Sequence, residues 1–180
     1  VRNLSVSNPV PGGGTAQLPS AFTVNNPTPT ITAVTPESTL VGTGAFNLIV
    51  TGTNFVPGSA VRLGSTVLTS TVVNRTRMTA SVPATELDTA RTFAVTVVNT
   101  IPGGGTSNSK NFAVQNPAPT LASLTPAQGS RLQTMDVVFD GTNFVPGITQ
   151  VNFGATDITV NGVSYQSSVK LTANITISSS

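Results

Sequence analysis

The chain repeats itself with a period of about 90 residues, so whatever it folds into must close within that length. Gly52-Thr53-Asn54-Phe55-Val56-Pro57-Gly58 recurs residue for residue as Gly141-Thr142-Asn143-Phe144-Val145-Pro146-Gly147, an offset of 89 (141 − 52 = 89). Pro11-Gly12-Gly13-Gly14-Thr15 returns as Pro102-Gly103-Gly104-Gly105-Thr106, an offset of 91. Phe22-x-Val24-x-Asn26-Pro27-x-Pro29-Thr30 returns as Phe112-x-Val114-x-Asn116-Pro117-x-Pro119-Thr120, an offset of 90. The 180 residues thus hold two units, but out of phase, because the first unit begins near its own end and the last stops before its end.

Alternation of apolar residues assigns the units to β-structure. Phe46, Leu48 and Val50 fall at every second position, as do their counterparts Met135, Val137 and Phe139. The same period of two runs through Met78-x-Ala80-x-Val82, Leu171-x-Ala173-x-Ile175 and Phe93-x-Val95-x-Val97, and it marks half-buried strands. Strand-sized runs separated by Gly, Pro and Asn turns are the pattern of a β-sandwich. No helix is predicted beyond a single turn within Pro83 to Arg91. Charged residues make up only 8% of the chain, whereas β-branched residues are abundant, which fits an all-β protein. Hydrophobic content of 38% is too high for a disordered chain.

The repeated heptapeptide reads as a loop anchor. Gly52 and Gly58, with Gly141 and Gly147, are expected at backbone angles other residues avoid, and Pro57 presets a turn. Phe55 and Phe144 are expected to fold back and plug one end of each sandwich. The alternative, a ligand loop, has no ionisable group to work with.

These strings resemble the IPT/TIG family. The resemblance rests on the Asn-Pro-x-Pro-Thr-(Ile/Leu)-x-x-(Val/Leu)-x-Pro start, the Gly-x-x-Phe-x-x-Gly core and the closing Val-x-Val-x-Asn. It implies tandem immunoglobulin-like sandwiches of bacterial cell-surface or secreted proteins, and it covers essentially the whole chain. Placed on that layout, residues 27–116 form a complete domain. Its strands are expected near Thr30–Val34, Phe46–Thr51, Ala60–Leu63, Ser65–Leu68, Arg77–Val82, Thr92–Val98 and Ser107–Gln115. Residues 1–26 match only the C-terminal β-hairpin of such a domain. Residues 117–180 match a domain lacking its last two strands, with Asn161-Gly162 suggesting a tight hairpin turn.

A sandwich without its last two strands leaves several hundred Å² of apolar face bare, on the order of 10 kcal/mol at about 25 cal/mol per Å². The expectation is that Leu4, Val6, Phe22 and Val24 fill in a neighbouring copy the positions that Val95, Val97, Phe112 and Val114 fill in the complete domain. The acceptor core would comprise Met135, Val137, Phe139, Phe153, Leu171 and Ile175. Separate chains joined head to tail and one continuous repeat array both satisfy this phase; because Val1 is not an initiator Met, the chain is expected to be a mature or excised piece. Within the complete domain Phe46, Val50, Phe55, Val61, Leu63, Val82, Phe93, Val95 and Phe112 are expected to be buried. Met135, Phe139, Phe144, Val151, Phe153 and Ile175 are expected to be buried in the second.

The expected function is a structural repeat module of an extracellular fibre or cell-surface array, secreted and partnered by copies of itself. With no His and no Cys, the chain cannot build Ser-His-Asp, Cys-His or common zinc sites; neither an enzyme nor a cofactor is expected. Eight Lys and Arg scattered along the chain do not make the dense patch nucleic acid requires. No apolar run reaches the roughly 20 residues of a membrane-spanning helix. An adhesin or carbohydrate-binding module, with a surface polysaccharide as partner, is the alternative. It has little aromatic surface to use, since Tyr165 is the one aromatic expected outside a core position. An accessory domain of a secreted enzyme is a third reading. Asp136 and Asp140, four apart on a strand, are expected on the outer face without a cleft.

Overall fold

In the computed structural model, residues 1–179 are described, and the chain divides into two compact units, Val1–Gln115 and Asn116–Ser180. The first unit opens with a hairpin of β1 (Arg2–Ser7) and β2 (Thr15–Phe22), which pair only with each other. A two-sheet sandwich follows. One sheet has the order β3 (Thr30–Thr35), β5 (Phe46–Thr53), β9 (Arg77–Val82), β8 (Thr69–Asn74), all antiparallel. The other has the order β4 (Ser38–Leu40), β12 (Lys110–Gln115), β10 (Arg91–Asn99), β6 (Ala60–Leu63), β7 (Thr66–Val67). The short β11 (Gly105–Thr106) pairs with the end of β10. A single 3₁₀ turn, Ala84–Glu86, lies between β9 and β10.

Period-two side chains from both sheets meet in one core. Leu48 and Val50 of β5, Met78, Ala80 and Val82 of β9, and Val95 and Val97 of β10 are buried, as are Phe112 and Val114 of β12. Each alternates with residues turned outward, so the strands read as one apolar and one wet face. Phe46, expected to be buried, is half-buried. It starts β5 at the margin of the sandwich, where its ring lies 5.9 Å from that of Phe112.

Besides the two-residue β11, two strands of this sandwich had no counterpart in the sequence expectations. β4 is a three-residue strand, held by parallel pairing to β12. β8 is an edge strand in which Val72 is half-buried and Val73 exposed; an edge supported by one sheet neighbour needs little apolar patterning. The strand expected over Ser65–Leu68 is interrupted. β7 covers two residues and Leu68 then turns into the core at 5% exposure.

The second unit is a four-stranded antiparallel sheet, β13 (Thr120–Thr125), β14 (Thr134–Thr142), β16 (Lys170–Ile177), β15 (Ile158–Ser167), in that order. It matches β3-β5-β9-β8 strand for strand. Its small core contains Val137, Phe139, Phe144, Leu171, Ala173 and Ile175. Asn161-Gly162 does not form the expected tight turn. It is a register shift within β15, between Val160 and Gly162, and the chain reverses at Ser168-Val169, as it does at Arg75-Thr76 in the first sandwich.

Candidate interaction surface

The loop anchors work by a different division of labour from the one expected. Gly58 and Gly147 have positive φ, 88° and 72°. Gly52 and Gly141 do not. A Cβ on Gly52 would collide with the Thr30 carbonyl oxygen and press on the Phe55 ring, and one on Gly141 would do the same to Thr120 and Phe144. These glycines therefore let β3 and β13 approach, and let the following phenylalanine fold beneath them. The left-handed positions belong to Asn54 (φ 63°) and Asn143 (φ 61°), the residue type that best tolerates them after Gly. Their side chains donate to the carbonyls of Thr28 (2.9 Å) and Ala118 (2.8 Å). Phe55 and Phe144 are buried, at 1% and 6% exposure.

In the complete sandwich, the last two strands supply the middle of the second sheet. β10 pairs β6 on one side and β12 on the other, and β12 carries β4. At the end of β10 lies Asn99, 3% exposed. Its amide nitrogen donates to the carbonyls of Pro27 (2.8 Å) and Asn54 (2.7 Å), and its side-chain oxygen accepts from the Ser59 hydroxyl (2.5 Å). Asn108 similarly ties the last hairpin to β3, accepting from the Ile31 N–H and donating to the Ile31 carbonyl, both at 2.9 Å.

The N-terminal hairpin has the same local build but no sheet against it. Ser7 faces Thr15 and Arg2 faces Phe22, as Val98 faces Thr106 and Phe93 faces Phe112. A Cβ on Gly13 would meet the carbonyls of Asn8 and Pro9, as one on Gly104 would meet those of Asn99 and Thr100. One extra residue between Thr15 and Phe22 produces a register shift, where Ser20 N–H donates to the Asn3 side-chain oxygen (2.9 Å). Every residue of β1 and β2 is exposed. Leu4, Val6, Phe22 and Val24 stand 55–65% exposed, together with Leu18 at 60%, which the sequence reading did not single out. The hairpin meets the sandwich at Asn26, whose N–H donates to the Pro102 carbonyl (2.7 Å) and whose carbonyl accepts from Gly104 N–H (2.7 Å). The Asn26 side chain adds a bond to the Thr100 carbonyl (2.8 Å).

The second unit carries the opposite feature, an inner face that its own loop segments cover only in part. Residues 150–153, which correspond to β6, and 128–130, which correspond to β4, are not strands. They match the two segments that in the complete sandwich pair with β10 and β12. Val137, Phe139, Leu171 and Ile175 are buried, but Met135, Val151 and Phe153, expected to be buried, are half-buried. Leu121 is 60% exposed where its counterpart Ile31 is 3% exposed, and Pro119 is exposed where Pro29 is buried. Pro119, Leu121, Phe144, Thr149, Val151 and Leu171 border an open groove of about 200 Å³.

Tyr165, expected outside a core position, is 39% exposed. It faces Leu171 across the sheet as Val72 faces Met78, so it lies on the inner side of the sheet, at its exposed margin. Asp136 and Asp140 lie on the outer face. Asp136 accepts from Asn174 (2.6 Å), and Asp140 pairs with the Lys170 ammonium at 3.4 Å, an exposed pair worth little. Among the described residues, no three His, Cys, Asp or Glu side chains gather to hold a metal ion, and no helix is long and apolar enough to cross a membrane.

Among solved structures, the chain is similar to an auxiliary nutrient binding protein from Bacteroides ovatus, at 16% identity and a TM-score of 0.33, over 64% of this chain. It spans about a third (34%) of that protein's length. No curated protein matches the sequence. The family model of the IPT/TIG domain matches residues 29–114, the stretch in which both sheets and the shared core are complete. That sandwich is a member of the IPT/TIG family of immunoglobulin-like domains.

Proposed function

We propose that the chain is a structural repeat module of an extracellular fibre or cell-surface array, in which the hairpin of residues 1–26 completes the unit of residues 117–180 in the next copy. The observation that carries this reading is complementarity. The hairpin has the end pairings and the glycine turn of the β10–β12 hairpin but no sheet against it, and the second unit has the match of the facing sheet but no such hairpin. Addition of strands to a free edge supplies main-chain hydrogen bonds, with alternate side chains filling pockets. Burying Leu4, Val6, Phe22 and Val24 would contribute on the order of 6–12 kcal/mol before the cost of association. A head-to-tail contact of this kind does not close on itself and propagates as a linear array. The IPT/TIG assignment of the intact sandwich supports a scaffold role rather than catalysis, and a secreted or surface location accords with it.

Sedimentation of the chain over a range of concentrations tests the reading. Assembly into a ladder of oligomers is expected, lost in Phe22→Asp. A chain that stays monomeric at every concentration would overturn assembly between separate chains. Intact-mass measurement of native material distinguishes joined chains from successive stretches of one long polypeptide.

A further inference from the structure

The complete sandwich contains a polar lock whose two halves recur, separated, at the two ends of the chain. In the intact form, Asn99 is the key: its amide nitrogen donates to the Pro27 and Asn54 carbonyls and its side-chain oxygen accepts from the Ser59 hydroxyl, while Asn99 itself is 3% exposed. The repeat offset of 91 turns Asn99 into Asn8, at the end of β1 and before the equivalent glycine turn. Asn8 is exposed, and its carboxamide has no hydrogen bond among the described residues. The cradle recurs as Pro117, Asn143 and Thr149. Thr149 Oγ1 accepts from Val145 N–H at 2.7 Å, as Ser59 Oγ accepts from Val56 N–H at 2.9 Å. Asn143 has the same left-handed backbone as Asn54, which turns its carbonyl out of the β14 ladder. Neither that carbonyl nor that of Pro117 accepts a hydrogen bond among the described residues.

We propose that Asn8 of one copy seats its carboxamide in the Pro117–Asn143–Thr149 cradle of a second copy, and that this contact sets the register of strand addition. The inference rests on the head-to-tail reading above. It adds a specificity element that apolar burial lacks, because a strand sliding by two residues keeps the same side chains facing inward but separates Asn8 from its three partners. A carboxamide suits the cradle because two carbonyl acceptors need N–H donors, while the hydroxyl needs an acceptor. Asn116 completes the seat. Its counterpart Asn26 grips the Pro102–Gly104 turn, so Asn116 would grip the Pro11–Gly13 turn of the incoming hairpin.

The test compares the self-association constant of the full chain with those of Asn8→Ala, Asn8→Asp and Ser5→Asp, by sedimentation equilibrium. Residue 8 is exposed in the free chain, so these variants fold as the parent does. Asn8→Ala leaves the cradle carbonyls unpaired and is expected to weaken association about ten- to hundred-fold. Asn8→Asp sets a carboxylate against two carbonyl oxygens and is expected to weaken it further, whereas Ser5→Asp, on the opposite face of β1, carries the same charge and is expected to have a small effect. If the parent chain associates and both Asn8 variants match it, the lock is wrong and the assembly stands. If association in the parent is driven by another surface, Phe22→Asp will also match it, and both readings fall together.

Discussion

The Ser59 hydroxyl donates to the Asn99 side-chain oxygen at 2.5 Å across 40 residues of sequence, inside a sandwich whose core is otherwise apolar. This contact joins the loop after the repeated heptapeptide to the last strand pair. It makes closure of the sandwich depend on one amide in addition to many apolar contacts.

Asn99→Ala should destabilise the complete sandwich by about 1–3 kcal/mol, because the Pro27 and Asn54 carbonyls and the Ser59 hydroxyl each lose a hydrogen bond to a side chain that is 3% exposed. Asn99→Asp should cost more, since a carboxylate cannot donate to the Pro27 and Asn54 carbonyls. Urea unfolding of the full chain measures both. Equal stability of Asn99→Ala and the parent would refute the role given to this network.

Phe55→Ala should cost about 3–5 kcal/mol by leaving a cavity beneath Gly52. Phe55 is 1% exposed, and its ring lies where a Gly52 Cβ would intrude. A loss under about 1 kcal/mol in thermal unfolding would show that the ring is not the plug described.

Gly52→Ala should be more damaging than Gly58→Ala. Gly58 has a positive φ but open space, its nearest neighbour being Thr100 at 3.8 Å, so alanine there costs about 1–2 kcal/mol of backbone energy. At Gly52 the obstacle is the Thr30 main chain, which cannot move without separating β3 from β5. The reverse order of melting temperatures would contradict this.

Hydrogen exchange should separate covered from uncovered edges. Amides of β10 and β12 should be strongly protected. Those of Leu4 to Ser7 and Val151 to Phe153 should exchange quickly in dilute solution and gain protection together as concentration rises. Protection of the hairpin without change at residues 151–153 would point to a different acceptor.

Most of the strands were legible because their alternation is simple. Met78-x-Ala80-x-Val82 and Phe93-x-Val95-x-Val97 can bury one face only as strands, and they do so. β4 was not legible, since Ser38-Thr39-Leu40 has no pattern of its own and becomes a strand only because β12 lies alongside. Residues 128–130, without such a neighbour, stay irregular. Which face of β15 carries Tyr165 was not legible, since it depends on cross-strand register with Leu171, and the shifts within β15 set that register.

By itself, the sequence determined the period, the all-β class and the anchor phenylalanines. Those properties follow from residue identity at fixed spacing and need no knowledge of what lies opposite. Only the tertiary structure decided which asparagines matter. Asn26, Asn54, Asn99 and Asn108 are indistinguishable from other asparagines in a chain rich in them. They become important where carbonyls distant in sequence converge, and that convergence exists only once both sheets have closed on a shared core.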